Sequence, residues 1–222
     1  MKWFASTLGL ALVALAFTPL LAEEKKDAPT PDKDGFYQLF DGKDLDGWKV
    51  GKNPETFKVE DGLIVVNGKG PAHLFYEGPV ADHNFKNFHL KAEVKTFAHA
   101  NSGIYFHTKF QEEGWPNKGF EAQVNATHTD RKKTGGLYNV KDVMDNAPNK
   151  DGEWFTYEII VDGKKVTLKI DGKTTTEWEQ PDGWKGPDGM PGRVLDSGTI
   201  ALQGHDPGSK VLYKSVAIKP LP

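Results

Sequence analysis

EWFTYEIIVDGKKVTLKIDGKTTTEW, Glu153 to Trp178, holds two Asp-Gly pairs, Asp162-Gly163 and Asp171-Gly172, each followed by a lysine. Tight hairpins need a residue that tolerates positive φ, and Asp-Gly between runs of β-branched and aromatic residues supplies it. The stretch therefore predicts three antiparallel strands in a meander. Outward from it the same grammar recurs. NFHLKAEVKTF sets Phe88, Leu90, Ala92 and Val94 on one face and His89, Lys91, Glu93 and Lys95 on the other. SGIYFHTKF sets Ile104 and Phe106 against Tyr105, His107 and Lys109, and GTIALQGH and KVLYKSVAIKPL close the chain as two more strands. Beyond the N-terminus no amphipathic helix of any length and no internal repeat stands out. Many short strands divided by Gly, Asp, Asn and Pro predict an all-β fold, a sandwich or jelly roll of two antiparallel sheets.

The ends and the composition narrow the setting. Lys2, an apolar run from Trp3 to about Leu21, and Ala22 before charged residues read as a secretory signal peptide over residues 1–22. An uncleaved membrane anchor is the alternative reading of that run. Residues 23–35, charged and containing Pro29 and Pro31, read as a flexible linker, leaving residues 36–222 for one domain. A net charge of -3 without a long basic block gives no reason to expect nucleic acid or anionic lipid as a partner. Export combined with zero cysteines favours a bacterial periplasmic or extracellular protein with no stable membrane association after signal cleavage.

GFEAQV, Gly119 to Val124, points to function. Period two sends Phe120, Ala122 and Val124 to the core and leaves Glu121 and Gln123 side by side on the opposite face. On the outer face of a sandwich those two would look into a shallow groove. A plain solvated face would carry the same residue types.

GFYQLFDGKDLDGWKV near the start resembles the opening of the 3-keto-glucoside 1,2-lyase/3-keto-2-hydroxy-glucal hydratase (3-keto-disaccharide hydrolase) domain family. The resemblance continues through NFHLKAEVKTF, NSGIYFHT, GFEAQV, TGGLY, the meander and the two closing strands, essentially everything from Phe36 onward. It implies a concanavalin A-like jelly roll acting on an oxidised carbohydrate. Transferred position by position, it implies that the family's polar groove residues fall on Asn101, Ser102, Glu121, Gln123, Tyr138, Gln203 and His205; Glu121 and His205 are taken as catalytic candidates and the others as substrate-binding. His107 is added as a third catalytic candidate, although similar sequences commonly hold arginine there, so a titratable imidazole replaces a permanent cation.

Retaining glycosidases need two carboxylates ~5–5.5 Å apart. Here the neighbour of Glu121 on its face is Gln123, and a second acid would have to come from elsewhere, Glu93 or Asp206. Elimination from a 3-keto sugar asks for less: a base for the proton on carbon 2, a stabiliser for the enolate oxygen, and a donor for the leaving group. Glu121 suits the first task, with His107 and His205 for the others. No cofactor is demanded, although His107, Glu121 and His205 could converge on a divalent metal ion acting as Lewis acid. A non-catalytic, lectin-like glycan-binding module using the same groove is the competing reading. Trp115 and Trp184, in Gly/Pro-rich loops, either stack on sugar or cover the sandwich end. Asp41, Asp44 and Asp46 read as turn formers rather than a calcium loop.

Overall fold

Alternation makes each strand a two-faced ribbon, and fifteen such ribbons form the regular structure of the computed structural model, which describes Met1 and residues 29–222. In chain order they are β1 (Tyr37–Gln38), β2 (Trp48–Val50), β3 (Phe57–Glu60), β4 (Leu63–Val66), β5 (Ala72–Tyr76), β6 (Phe88–Thr96), β7 (Ser102–Thr108) and β8 (Phe120–Val124). The rest are β9 (Lys132–Leu137), β10 (Lys141–Met144), β11 (Trp154–Asp162), β12 (Lys165–Ile170), β13 (Lys173–Glu179), β14 (Thr199–Gly204) and β15 (Val211–Pro220). Two short 3-10 turns, Pro54–Thr56 and Val80–His83, are the helical pieces among the described residues. None of the helices described is long and apolar enough to cross a membrane.

The strands form two antiparallel sheets. One runs β13-β12-β11-β6-β15-β4-β3 with β1 on β15, and the other runs β10-β9-β8-β7-β14-β5-β2. Both Asp-Gly hairpins form as expected. At Asp171 (φ 49) and Gly172 (φ 75) both central residues are left-handed, the type I′ turn that matches strand twist. Between Asp162 and Lys165 the loop is Gly163-Lys164, with Gly163 alone at positive φ (56).

Packing follows from the same period. Phe88, Leu90, Ala92 and Val94 of β6 meet Ile104 and Phe106 of β7, Ala122 and Val124 of β8 and Leu202 of β14 in one continuous buried core. Each large apolar side chain removed from water contributes roughly 1.5–3 kcal/mol. With no cysteine in the chain, this burial and the ladder hydrogen bonds hold the sandwich.

Two expectations concern the N-terminus. The signal peptide and residues 23–28 of the linker lie outside the described residues. The linker's last residues are folded: Asp32 Oδ1 accepts from the Asp34 and Phe36 amides, at 2.9 and 2.8 Å, in a turn that leads into β1. Asp41 and Asp44 act as turn formers, Asp41 Oδ1 accepting from the Lys43 amide and Asp44 Oδ1 from the Asp46 amide.

Candidate active site

The side chains that leave the core on β7, β8 and β14 share the outer face of the seven-stranded sheet. Tyr105 lies directly across from Glu121, and Gly103 across from Gln123. On the other side of β7, Ala201 pairs with Tyr105, and Gln203 of β14 pairs with His73 of β5. Tyr138, just past β9, donates its amide to the Glu121 carbonyl at 2.9 Å. Loops around Trp115 and Arg193 wall this floor into a cavity of about 430 Å³. That lies within the ~300–1,000 Å³ usual for small-molecule sites.

Glu121 sits on the cavity floor, 5% exposed. Its Oε2 accepts from the Tyr105 hydroxyl at 2.8 Å and lies 3.5 Å from Arg193 Nη2, while its Oε1 accepts from Gln203 Nε2 at 3.1 Å. Burial pushes the carboxyl pKa above the ordinary glutamate value, opposed by the Arg193 charge and the Tyr105 and Gln203 hydrogen bonds. Tyr105 is driven well above a normal phenol by burial and by the carboxylate it faces, so it donates and stays neutral. Gly103 makes room for this arrangement: a Cβ there would stand 2.6 Å from Glu121 Oε1 and 2.7 Å from its Cγ.

Arg193 comes from the long Gly/Pro-rich loop between β13 and β14, and sequence reasoning did not single it out. Its carbonyl accepts from Trp184 Nε1 at 2.7 Å, its Nε contacts Met190 Sδ at 3.0 Å, and its guanidinium carbon lies 5.6 Å from the Tyr138 ring centre. Gly192 reaches the opposite loop closely enough for its carbonyl to accept from the Gly119 amide at 2.9 Å. The guanidinium is thus fixed before any ligand arrives. Trp184 therefore props the arginine, and Trp115 is the tryptophan that lines the cavity. Three buried atoms of cavity residues lack partners within the protein: Arg193 Nη1, Gln123 Oε1 and Gln203 Oε1. An unpaired buried polar atom costs ~1–3 kcal/mol.

Of the residues chosen from sequence, Asn101, Glu121, Gln123, Tyr138, Gln203 and His205 line one cavity. Asn101 Oδ1 accepts from Gln123 Nε2 at 2.8 Å, which orients that amide. His205 pairs with Asp206 (Nδ1 to Oδ1, 3.2 Å) and packs on Trp115 with ring centres 5.0 Å apart. Ser102 and His107 are elsewhere. Ser102 shares the inward face of Ile104, where its hydroxyl donates to the Gln203 carbonyl at 2.6 Å and sits 3.4 Å from the core Tyr213 hydroxyl. His107 is diverted by a bulge: Thr108 pairs with Thr199 and Tyr105 with Ala201, so Phe106 and His107 oppose Ile200 alone. With φ at 53, His107 turns against Phe88 and Phe106. Its Nε2–H donates to the Lys86 carbonyl at 2.8 Å and its Nδ1 accepts from the Asp196 amide at 3.3 Å. Burial holds its pKa down at about 4, so it is a neutral structural imidazole.

Neither proposed second acid stands beside Glu121. Glu93 belongs to β6 of the other sheet and pairs with Lys214 at 3.4 Å. Asp206 is engaged by His205 and by the Ser209 hydroxyl. The trio His107, Glu121 and His205 does not fit a metal, because His107 faces the core and Glu121 spends its oxygens on Tyr105, Gln203 and Arg193. Among the described residues no group of three or more His, Cys, Asp or Glu gathers as ligands.

Known proteins share this sequence pattern and fold. A curated 3-keto-disaccharide hydrolase of Bacteroides thetaiotaomicron is 38% identical over 103 residues, which are 42% of this chain and 35% of that protein. The match thus spans about a third of the relative's length. A solved structure of a candidate glycosyl hydrolase from Parabacteroides distasonis superposes with a TM-score of 0.71 at 26% identity, covering 85% of this chain and 95% of that one. The carbohydrate binding module CBM66 of Bacillus subtilis shares the fold at 11% identity, with a TM-score of 0.55 over 78% of this chain and 95% of that one. The profile of the 3-keto-alpha-glucoside-1,2-lyase-like domain matches residues 35–219, and the chain belongs to that family.

Proposed function

We propose that this chain is a carbohydrate-active enzyme that cleaves 3-keto-glycosides by elimination across carbons 1 and 2. Hydration of the resulting 2-hydroxy-glucal completes a net hydrolysis. The observation that carries the reading is a single buried carboxylate, Glu121, on the cavity floor beside a pre-set guanidinium, with no other carboxylate in the lining. Two-carboxylate glycosidase chemistry lacks its second acid there. Family membership and the 3-keto-disaccharide hydrolase relative support an oxidised sugar as substrate.

The ketone at carbon 3 acidifies the proton on carbon 2. Glu121 takes that proton, and the C–H electron pair forms the C2=C3 enolate with its charge on the carbon 3 oxygen. Arg193 faces that charge, a task for which the sequence offered His107 and His205 as candidates. Fixed donors aimed at a developing oxyanion are worth ~10²–10³ in rate. The enolate then reforms the ketone as C1=C2 forms and the C1–O bond breaks. His205, backed by Asp206, gives the leaving oxygen its proton. Water adding across C1=C2, hydroxyl to carbon 1 and proton to carbon 2, yields the free 3-keto sugar. Burial makes Glu121 a stronger base than an exposed carboxylate, while Arg193, Tyr105 and Gln203 favour its ionised form and oppose that rise.

Incubation of wild type and Glu121→Gln with a 3-keto-glucoside, followed by enone absorbance and released aglycone, tests this. Turnover in wild type that is lost in the variant is expected. Binding without turnover in both would favour the lectin-like module. Export to the periplasm or the cell exterior is the second half of the proposal, and N-terminal sequencing of the mature chain from fractionated cells tests it.

A further inference from the structure

We infer that the cavity has a direction: the 3-keto ring lies toward Tyr138 and Arg193, and the leaving group lies on Trp115, which selects leaving groups with a ring face to stack, an aryl plane or the C–H face of a pyranose. The inference rests on the elimination reading above. Carbon 2 sits between carbons 1 and 3 in the sugar ring. If the carbon 2 proton points at Glu121 and the carbon 3 oxygen at Arg193, carbon 1 must point the opposite way.

What lies that way is set by strand order. Reading β9-β8-β7-β14 across the floor gives Tyr138, Glu121, Tyr105 and Gln203, with His73 of β5 packed just beyond the lining. Arg193 and Lys132 crowd the Tyr138 end, at 5.6 and 4.1 Å from its ring centre. The other end is aromatic. Trp115 packs on His205 with ring centres 5.0 Å apart and planes 37° apart, and His73 meets Trp115 at 5.8 Å and Tyr105 at 5.3 Å. Three strand spacings of ~4.8 Å separate Tyr138 from Gln203, more than one sugar ring needs. His205, the proton donor, stands at the aromatic end, where the leaving oxygen would be.

Trp115 is 47% exposed, yet its loop is pinned. Gln111 Nε2 donates to the Glu113 and Trp115 carbonyls at 2.6 and 2.9 Å, and Gln111 Oε1 accepts from the Asn117 amide at 3.2 Å. At the other side of the loop the Lys52 amide donates to the Glu112 carbonyl at 2.8 Å, and a Cβ on Gly51 would come within 2.1 Å of that oxygen. An exposed indole on a loop held this firmly is a pre-formed platform, which loses little freedom when a ring stacks on it.

The test compares 4-nitrophenyl and methyl 3-keto-glucosides with wild type, Trp115→Ala and Trp115→Phe. Stacking of this kind is worth up to about tenfold. Trp115→Ala should therefore lower kcat/KM for the aryl substrate about tenfold more than for the methyl one, and Trp115→Phe should restore most of the difference. Equal losses on both substrates, or no loss on the aryl one, would overturn the inference. A parallel titration in the Glu121→Gln background reads the Kd of the same two compounds and separates the two claims. A Trp115-dependent preference for the aryl compound there, with no turnover in wild type, would refute the reaction and keep the platform. Turnover in wild type without that preference would keep the reaction and refute the platform.

Discussion

Gly103→Ala is a one-carbon test of whether the position of the Glu121 carboxylate matters. The new Cβ would lie 2.6 Å from Oε1 and 2.7 Å from Cγ, against an ordinary contact of 3.4 Å or more, so the carboxylate must retreat by about 0.8 Å. That movement pulls Oε1 from Gln203 and loosens the 2.8 Å hydrogen bond from Tyr105. A shift near 1 Å in a reacting group costs about 10²-fold in rate. The fold should tolerate the change. Overpacking costs ~1–3 kcal/mol, and the less flexible unfolded chain returns ~0.4–1 kcal/mol. Steady-state kinetics on a 3-keto-glucoside, with thermal melts alongside, should show kcat/KM down about a hundredfold and a folded protein. Wild-type activity in a folded Gly103→Ala variant would refute the claim that this carboxylate must stand where it does.

Arg193→Met should lower kcat by ~10²–10³-fold with a smaller effect on KM, because the lost donor acts on charge that develops during the reaction; an unchanged kcat would remove Arg193 from the chemistry. Tyr105→Phe deletes a hydrogen bond that lowers the Glu121 pKa, so the acid limb of the kcat/KM profile should move to higher pH, and a profile that stays in place would argue that Glu121 is not the titrating base. His107, neutral in the fold with a pKa of about 4 against 6.5 for the free side chain, contributes stability that is complete above pH 6.5 and is lost as pH falls toward 4. At ~1.4 kcal/mol per unit this is up to ~3 kcal/mol. His73, held at about 3 by burial and by His205, acts in the same direction, while the raised Glu121 acts against both. Urea unfolding from pH 7 to pH 4 should therefore show falling stability, with a smaller slope in a folded His107→Gln variant; equal slopes would contradict the assignment.

Much of the fold was legible because it depends on alternation and on turn residues. The Asp-Gly pairs placed β11 to β13, and period two put Glu121 and Gln123 on the outer face where the cavity lies. Ser102 was given a binding role by family resemblance alone, and the fold turns it to the inward face of Ile104, with contacts in the core. His107 was misplaced because a bulge inserts one residue opposite Ile200, and nothing in HTKF announces a bulge. Arg193 was missed because a Gly/Pro loop has no period from which to project a side chain. One compositional trace exists: Arg131 and Arg193 are the two arginines among 28 basic residues, and Arg193 is the buried one. Gly103 could not be recognised either, since a glycine in a strand reads as a weak point until the carboxylate above it is seen.

The central claim is that the carbon 2 proton leaves during the reaction and that Glu121 removes it. Turnover of a 3-keto-glucoside in D2O, followed by proton NMR, reads this directly. Elimination and hydration predict 3-keto-glucose carrying deuterium at carbon 2, at a rate that matches aglycone release and collapses in Glu121→Gln, above the slow exchange seen without enzyme. Product that keeps its carbon 2 proton while the aglycone is released would contradict the account, because the glycosidic bond would then have broken without exchange of that proton with solvent.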